Sequence, residues 1–238
     1  MQGKPQMTYY LFVNFKAYEE GTGQKALALS KLLSTFSSEA AEVVPVVQAL
    51  DLRQIAKDSA LKIFAQHADP IKFGPGTGRI LPEALKAAGA YGTVLNHAEN
   101  KVSNDALRAT IARCAQAGLK VLCCAENLQR AKEIAAFSPA PDFIAIEPPE
   151  LIGGEVSVSS AKPELISGSV AAIAKINPKI IVITGAGIKN QDDVAKAIEL
   201  GTKGIFVSSG IVRAPDQEYA VKQLLGGFPQ SEDSGSMP

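Results

Sequence analysis

Eight times along this chain a short run of β-branched or aromatic residues meets a polar or glycine-bearing junction, then a stretch with apolar residues at helical spacing. The runs fall at 9–13, 43–48, 61–65, 92–96, 120–124, 143–147, 180–184 and 204–208. They read as continuously apolar more than alternating, the pattern of parallel strands covered on both faces. The stretches between them carry helix punctuation. Leu107, Ile111 and Cys114 share one face, as do Val194 and Ile198 on another helix. Pro82 sits near a start with Gly89 past the end, Ser103 or Asn104 caps the next helix before Gly118 stops it, and Asp216 caps the last. The junctions 118–120 and 201–203 are so short that consecutive strands must return to the same sheet through right-handed crossovers.

Two α/β architectures compete for such a pattern. A (β/α)8 barrel uses all eight units in one domain of ~250 residues, and residues 9–228 lie at the short end of that range. A doubly wound open sheet usually has fewer strands and a glycine fingerprint after the first. Here that position reads Val13-Asn14-Phe15-Lys16, and no linker or composition shift divides the chain, so a single-domain barrel is expected. Residues 1–8 read as an N-terminal extension without the apolar core of a secretory signal, with Met7 as an alternative start, and 229–238 as a polar, disordered tail.

Composition removes several function classes. Twenty-four Lys and Arg balance twenty-four Asp and Glu, so no global cationic field gathers nucleic acid or anionic lipid. The apolar runs fall far short of the ~20 residues that cross a bilayer, so no membrane partner is expected. Cys114, Cys123 and Cys124 are odd in number, and two are strand neighbours that face opposite ways. They offer no easy bridge and no zinc spacing, which fits a reducing cytoplasm.

In a barrel the reaction face is the C-terminal end of the strands, and there the chain concentrates its polar chemistry. Asn14 and Lys16 end the first run, Asn96, His97 and Glu99 the fourth, Glu147 the sixth, Gly185-Ala-Gly187 the seventh and Ser208-Ser209-Gly210 the eighth. Glu147, emerging from Phe143-Ile-Ala-Ile146, is placed for partial desolvation, which raises a carboxylate towards general-base use; it could equally cap a strand end or pair with a lysine. His97 is either a neutral imidazole aimed at a substrate oxygen or a hydrogen-bonded structural residue. Its spacing to Glu99 makes no metal motif, and no metal is expected. Lys16 fixes a phosphate or an oxyanion, or snorkels from the rim. Loops after the last two strands commonly cradle phosphate with backbone N–H groups, although tight turns also need glycine. Pro148-Pro149 at one end and Gly153-Gly154 at the other make a stiff segment with a soft hinge, read as a lid beside Glu147.

Asn14-Phe-Lys16, Leu95-Asn-His97-Ala-Glu99-Asn100, Ile146-Glu-Pro-Pro-Glu-Leu-Ile-Gly153 and Gly185-Ala-Gly-Ile188 together resemble the motifs of the triosephosphate isomerases. The likeness spans roughly 9–226, and the segment 66–71 with the Pro-Pro-Glu-Leu-Ile-Gly flap is similar to the short archaeal form. The resemblance implies a TIM barrel that interconverts dihydroxyacetone phosphate and glyceraldehyde 3-phosphate, a step of glycolysis and gluconeogenesis, without a cofactor. It implies Glu147 as the base that forms an enediolate, His97 as a neutral electrophile beside a helix N-terminus, Lys16 as the cation and Asn14 as a supporting hydrogen bond. Glu99 stands behind them, while Gly153, Gly185, Gly187, Ser208, Ser209 and Gly210 hold the phosphate. It also implies a homo-oligomer, tetramer or dimer, with the loop carrying Thr77 at the subunit interface.

The chain departs from the family pattern at two sites: Ala98 where serine is usual, and Gly154-Glu155 in place of a small Thr-Gly pair at the distal hinge. Two other functions remain open on the residues alone. A phosphate-binding lyase or synthase would need further acid–base groups, for which Glu126 and Glu150 are the candidates. A non-catalytic triose phosphate binder would need only the anion cradle.

Overall fold

The computed structural model describes residues 9–36, 41–151 and 157–229. Eight strands run in chain order: β1 (Tyr9–Asn14), β2 (Ala41–Val47), β3 (Phe64–Ala65), β4 (Gly92–Leu95), β5 (Lys120–Ala125), β6 (Phe143–Ile146), β7 (Ile181–Gly185) and β8 (Gly204–Val207). Each pairs in parallel with its neighbours, and β1 closes on β8 with Tyr10 opposite Gly204 and Val13 opposite Val207. The expected single-domain (β/α)8 barrel is the observed fold. The extension 1–8 and all of the expected tail except Pro229 lie outside the described residues.

The strands build two apolar layers because successive side chains face opposite ways. Leu11 and Val13 pack outward with the helices, while Phe12 points inward with Val44, Val46, Phe64, Leu122, Phe143 and Phe206. Phe12 lies at the hub of the interior. Its ring is wholly buried and meets Phe64, Phe143 and Phe206 edge-on at centroid distances of 5.2, 5.3 and 6.3 Å, the geometry that aromatic quadrupoles favour. Cys123 and Cys124 divide the same way, one among the outer layer and one inside the barrel, and all three cysteines are free and buried.

The outer layer comprises α1 (Gly23–Ser34), α2 (Ala49–Asp58), α3 (Pro82–Ala87), α4 (Asn104–Gln116), α5 (Leu128–Ala135), a short α6 (Val158–Ala161), α7 (Pro163–Ile176), α8 (Gln191–Glu199), a short α9 (Ser209–Val212) and α10 (Gln217–Leu225). The sequence punctuation operates as expected: Ser103 Oγ accepts from Ala106 N–H at the start of α4, Asp216 from Tyr219 N–H at the start of α10, and Pro82 opens α3. Gly89 and Gly118 leave their helices at φ of 100° and 70°, where a side chain would be strained.

The expected strand boundaries differ from the observed ones most at the start of β3, which begins at Phe64 and not at 61, and by one residue at most of the C-terminal ends. Asn96, Glu147 and Ser208 each lie one residue past the ladder. Glu147 N–H still binds Ala125 O at 2.9 Å, but Asn96 has already turned to a φ of 59°. The residues with chemistry therefore mark where pairing stops. No helix among the described residues is long and apolar enough to cross a membrane.

Replacing Phe12 with alanine removes the hub of the interior and should cost roughly 3–5 kcal/mol. Urea unfolding at fixed protein concentration measures it, and a loss under ~1 kcal/mol would mean that the interior collapses around the gap.

Candidate active site

A cavity of about 370 Å³ opens at the C-terminal mouth of the barrel, walled by Asn14, Lys16, Tyr18, His97, Glu147, Phe206 and the loops 186–189 and 207–210. Asn14 with Lys16, His97 and Glu147, from three distant stretches of sequence, meet there because β1, β4 and β6 all end at this rim. Glu147 is 5% exposed, and one carboxylate oxygen, Oε2, has no hydrogen-bond partner. Burial pushes its pKa up to about 7, opposed by the Cys124 thiol and the Lys16 charge, with Glu99 adding to the rise. Such a group is a base near neutral pH rather than a spectator anion.

Room for that carboxylate comes from β7. A Cβ on Gly185 would lie 2.4 Å from Glu147 Cγ and 2.7 Å from its Oε1. Gly185, expected as a phosphate ligand, instead leaves the space that the Glu147 carboxylate occupies, and it does not line the cavity.

His97 meets Phe206 edge-on at the top of the barrel interior, with ring centroids 6.2 Å apart. Its Nδ1 accepts the Glu99 N–H at 3.2 Å, which fixes the neutral tautomer with a proton on Nε2. Burial and the Lys16 charge lower the imidazole pKa, and Glu99 opposes them. The expected helix N-terminus is replaced by a single turn, Asn100 N–H to His97 O at 2.8 Å, since α4 begins only at Asn104. The same turn explains how Ala98 is tolerated, because a backbone N–H holds the ring without a serine hydroxyl. Asn96 braces it from below, donating to Cys124 O at 2.9 Å and accepting from Val102 N–H at 3.2 Å.

Lys16 Nζ pairs with Glu99 Oε1 at 2.7 Å; the lysine side chain is 13% exposed and the glutamate 59%. A carboxylate so open to solvent holds the ammonium only weakly. Asn14 Oδ1 accepts from the Lys16 N–H at 3.0 Å, which sets the turn after β1.

The opposite end of the cavity presents backbone N–H groups. Ser209 and Gly210 open α9, and the first N–H groups of a helix have no intrahelical acceptor. Gly187, at φ 73°, faces them across the cavity rim. Ser208 differs from expectation in that its hydroxyl donates to Asn14 O at 2.7 Å and so ties β8 to β1. Gly153, with Gly154 and Glu155, lies outside the described residues. Tyr18, Ile188 and Lys189 complete the wall; Ile188 ends the Gly185-Ala-Gly-Ile188 motif, whereas Tyr18 and Lys189 belong to none, and only their nearness to Lys16 and Gly187 in sequence pointed to them. Among the described residues no group of three or more His, Cys, Asp or Glu could hold a metal.

The triosephosphate isomerase family model matches residues 9–224. This chain belongs to the triosephosphate isomerase family. The triosephosphate isomerase of Methanocaldococcus jannaschii is 39% identical over 90% of this chain and 98% of its own. Those of Methanosarcina barkeri and Archaeoglobus fulgidus are each 39% identical over 91% of this chain, covering 97% and 96% of theirs. The short archaeal form expected from the motifs is the one that these relatives represent.

A carboxylate whose folded pKa is raised above its unfolded value destabilises the fold as pH rises through the interval between them. For Glu147 that interval runs from 4.5 to about 7. Glu147→Gln should therefore stabilise the protein at pH 8 by up to ~3 kcal/mol, the full linkage for such a shift, with the gain disappearing below pH 4.5. Unfolding curves at the two pH values test it; an equal effect at both would mean that the carboxylate is not desolvated.

Proposed function

We propose that this cavity interconverts dihydroxyacetone phosphate and D-glyceraldehyde 3-phosphate by proton transfer through an enediolate, with Glu147 as base, His97 as electrophile, Lys16 as cation and Asn14 as support. The observation that carries the reading is the meeting of a buried carboxylate, one oxygen of which has no partner, with a neutral imidazole in one cavity the size of a small metabolite. Substrate phosphate would rest on the N–H groups of Gly187, Ser209 and Gly210, leaving the three-carbon chain between Glu147 and His97. Glu147 takes the proton from the carbon beside the carbonyl while His97 Nε2–H donates to the carbonyl oxygen. Charge that develops on oxygen is met by donors already in place, so little reorganisation accompanies the step. No cofactor takes part in this scheme. Lys16 exchanges part of its bond to Glu99 for the substrate's negative charge.

The lyase or synthase alternative finds little support. Glu126 pairs with Lys101 at 3.6 Å and Glu150 pairs with Lys162, and neither lines the cavity. The intact base and electrophile likewise favour an enzyme over a passive binder.

We further propose a homo-oligomer, dimer or tetramer, in which the loop 66–81 of one copy reaches the next. Thr77 is exposed in that loop, and Phe73 near it is 78% exposed. Its base is stiffened by Asp69, which accepts from Arg79 and from Ile80 N–H and lies 3.6 Å from His67 Nε2. A second cavity, about 330 Å³, lies against the other side of Asn14, Lys16 and His97 and is edged by Leu50, itself 93% exposed. Apolar surface of this kind beside a receptive hollow suits a neighbour's loop. Three free buried thiols fit a cytoplasmic setting.

Glu147→Gln should lower kcat for glyceraldehyde 3-phosphate by at least ~10²-fold in a coupled assay while the fold is kept; undiminished turnover would refute the assignment. In the unaltered protein kcat/KM should fall tenfold per pH unit below about 7, as Glu147 takes up its proton. Thr77→Arg should shift the assembly towards monomer in sedimentation at micromolar concentration, and an unchanged sedimentation coefficient would remove this loop from the interface.

A further inference from the structure

Lys16 stands in a backbone conformation that lysine rarely adopts, with φ at 49°. Something must hold it there. On its N-terminal side the hold is plain: the Lys16 N–H donates to Asn14 Oδ1, and the preceding Phe15 is wholly buried with its N–H on Val46 O at 2.9 Å. Phe15 is pinned from the far side as well, since a Cβ on Gly21 would come within 2.5 Å of its carbonyl oxygen. The C-terminal side of Lys16 depends on its carbonyl, and that carbonyl accepts from the side-chain amide of Gln66 at 2.8 Å.

The Gln66 amide has no freedom to turn over. Its nitrogen lies 2.8 Å from Lys16 O and 3.5 Å from both Asn14 Oδ1 and Val46 O. Three acceptors around one end of an amide require nitrogen there, because the oxygen would face only lone pairs. Gln66 is itself fixed at the end of β3, its N–H on Val47 O at 3.2 Å. It lines the second cavity and not the first, so it reaches the site from behind, through Asn14 and the Lys16 carbonyl.

We propose that Gln66 is a positioning residue for Lys16. By anchoring the Lys16 carbonyl it preserves the left-handed turn that aims the ammonium at Glu99 and the catalytic cavity. Without that anchor the carbonyl would seek water and φ would relax to negative values. The direction of the Lys16 side chain would change at its root, carrying the charge away from His97. The inference rests on the reading of Lys16 as the cation of an isomerase site.

The test is Gln66→Leu, similar in size and without a donor, made in the full chain and again on a Lys16→Met background. Two quantities are read in each: kcat/KM for glyceraldehyde 3-phosphate and the dissociation constant of 2-phosphoglycolate. In the parent chain Gln66→Leu should lower kcat/KM by ~10- to 100-fold, the scale of an ångström-sized misplacement, and weaken phosphoglycolate binding. With Lys16 already replaced, the same substitution should change either quantity by less than twofold, because coupled residues lose their effect once the shared partner is gone. A merely structural role would give equal losses on both backgrounds, and that result overturns the proposal. So does an unchanged kcat/KM for Gln66→Leu alongside a strongly impaired Lys16→Met. If Lys16→Met itself keeps full activity, the assignment of Lys16 is the part that fails, and the role of Gln66 falls with it. Should the leucine variant not fold, Gln66→Asn, which keeps the amide one methylene short of Lys16 O, gives the same readings.

Discussion

A carboxylate removed from water with one oxygen lacking any donor is among the least favourable arrangements a fold can hold, and the mouth of this barrel is organised around one. Glu147 keeps its position because β6 delivers it there, because Gly185 on β7 yields the space, and because a thiol and an ammonium stand close enough to offset part of the desolvation. Each support comes from a different strand. The eightfold closure that buries the aromatic interior is thus also what raises the basicity of one glutamate, so stability and chemistry are set by the same geometry.

Backbone strain follows the same map. Among the described residues only Lys16, Asn96 and Ala186 are non-glycines with positive φ, and they follow β1, β4 and β7 at the same rim. Such conformations persist only where surroundings over-determine them. Around Lys16 and Asn96 the determinants are visible side-chain hydrogen bonds. At Ala186 the carbonyl is held by the Val158 N–H at 3.2 Å, which ties the loop after β7 to α6. The reaction face is therefore a set of turns that the ladder would not choose by itself.

Much of this was legible in the chain. The eight apolar runs, Pro82, Ser103 and Asp216 are local signals whose physics needs no tertiary partner, and they read correctly. The motif residues Asn14, Lys16, His97 and Glu147 were located at strand ends because a parallel barrel puts all such ends together. What could not be read was which hydrogen bond each polar atom would form. Ser208 looked like a phosphate ligand, yet its hydroxyl faces the Asn14 carbonyl, a partner fixed by β8 meeting β1. Gly185 looked like part of an anion cradle because GxG is a turn signal, and nothing local reveals that a glutamate from the neighbouring strand fills its empty side. The single turn behind His97 was mistaken for a helix start because the imidazole needs only one N–H, whichever structure presents it.

That empty side also limits what evolution can do with the end of β7. Any β-carbon at 185 would evict the carboxylate, so new recognition chemistry cannot be grafted there and must be added farther along, from 186 onward. Diversification of the rim is channelled into its outer ring of loops, while the inner ring stays frozen by the volume of one glutamate.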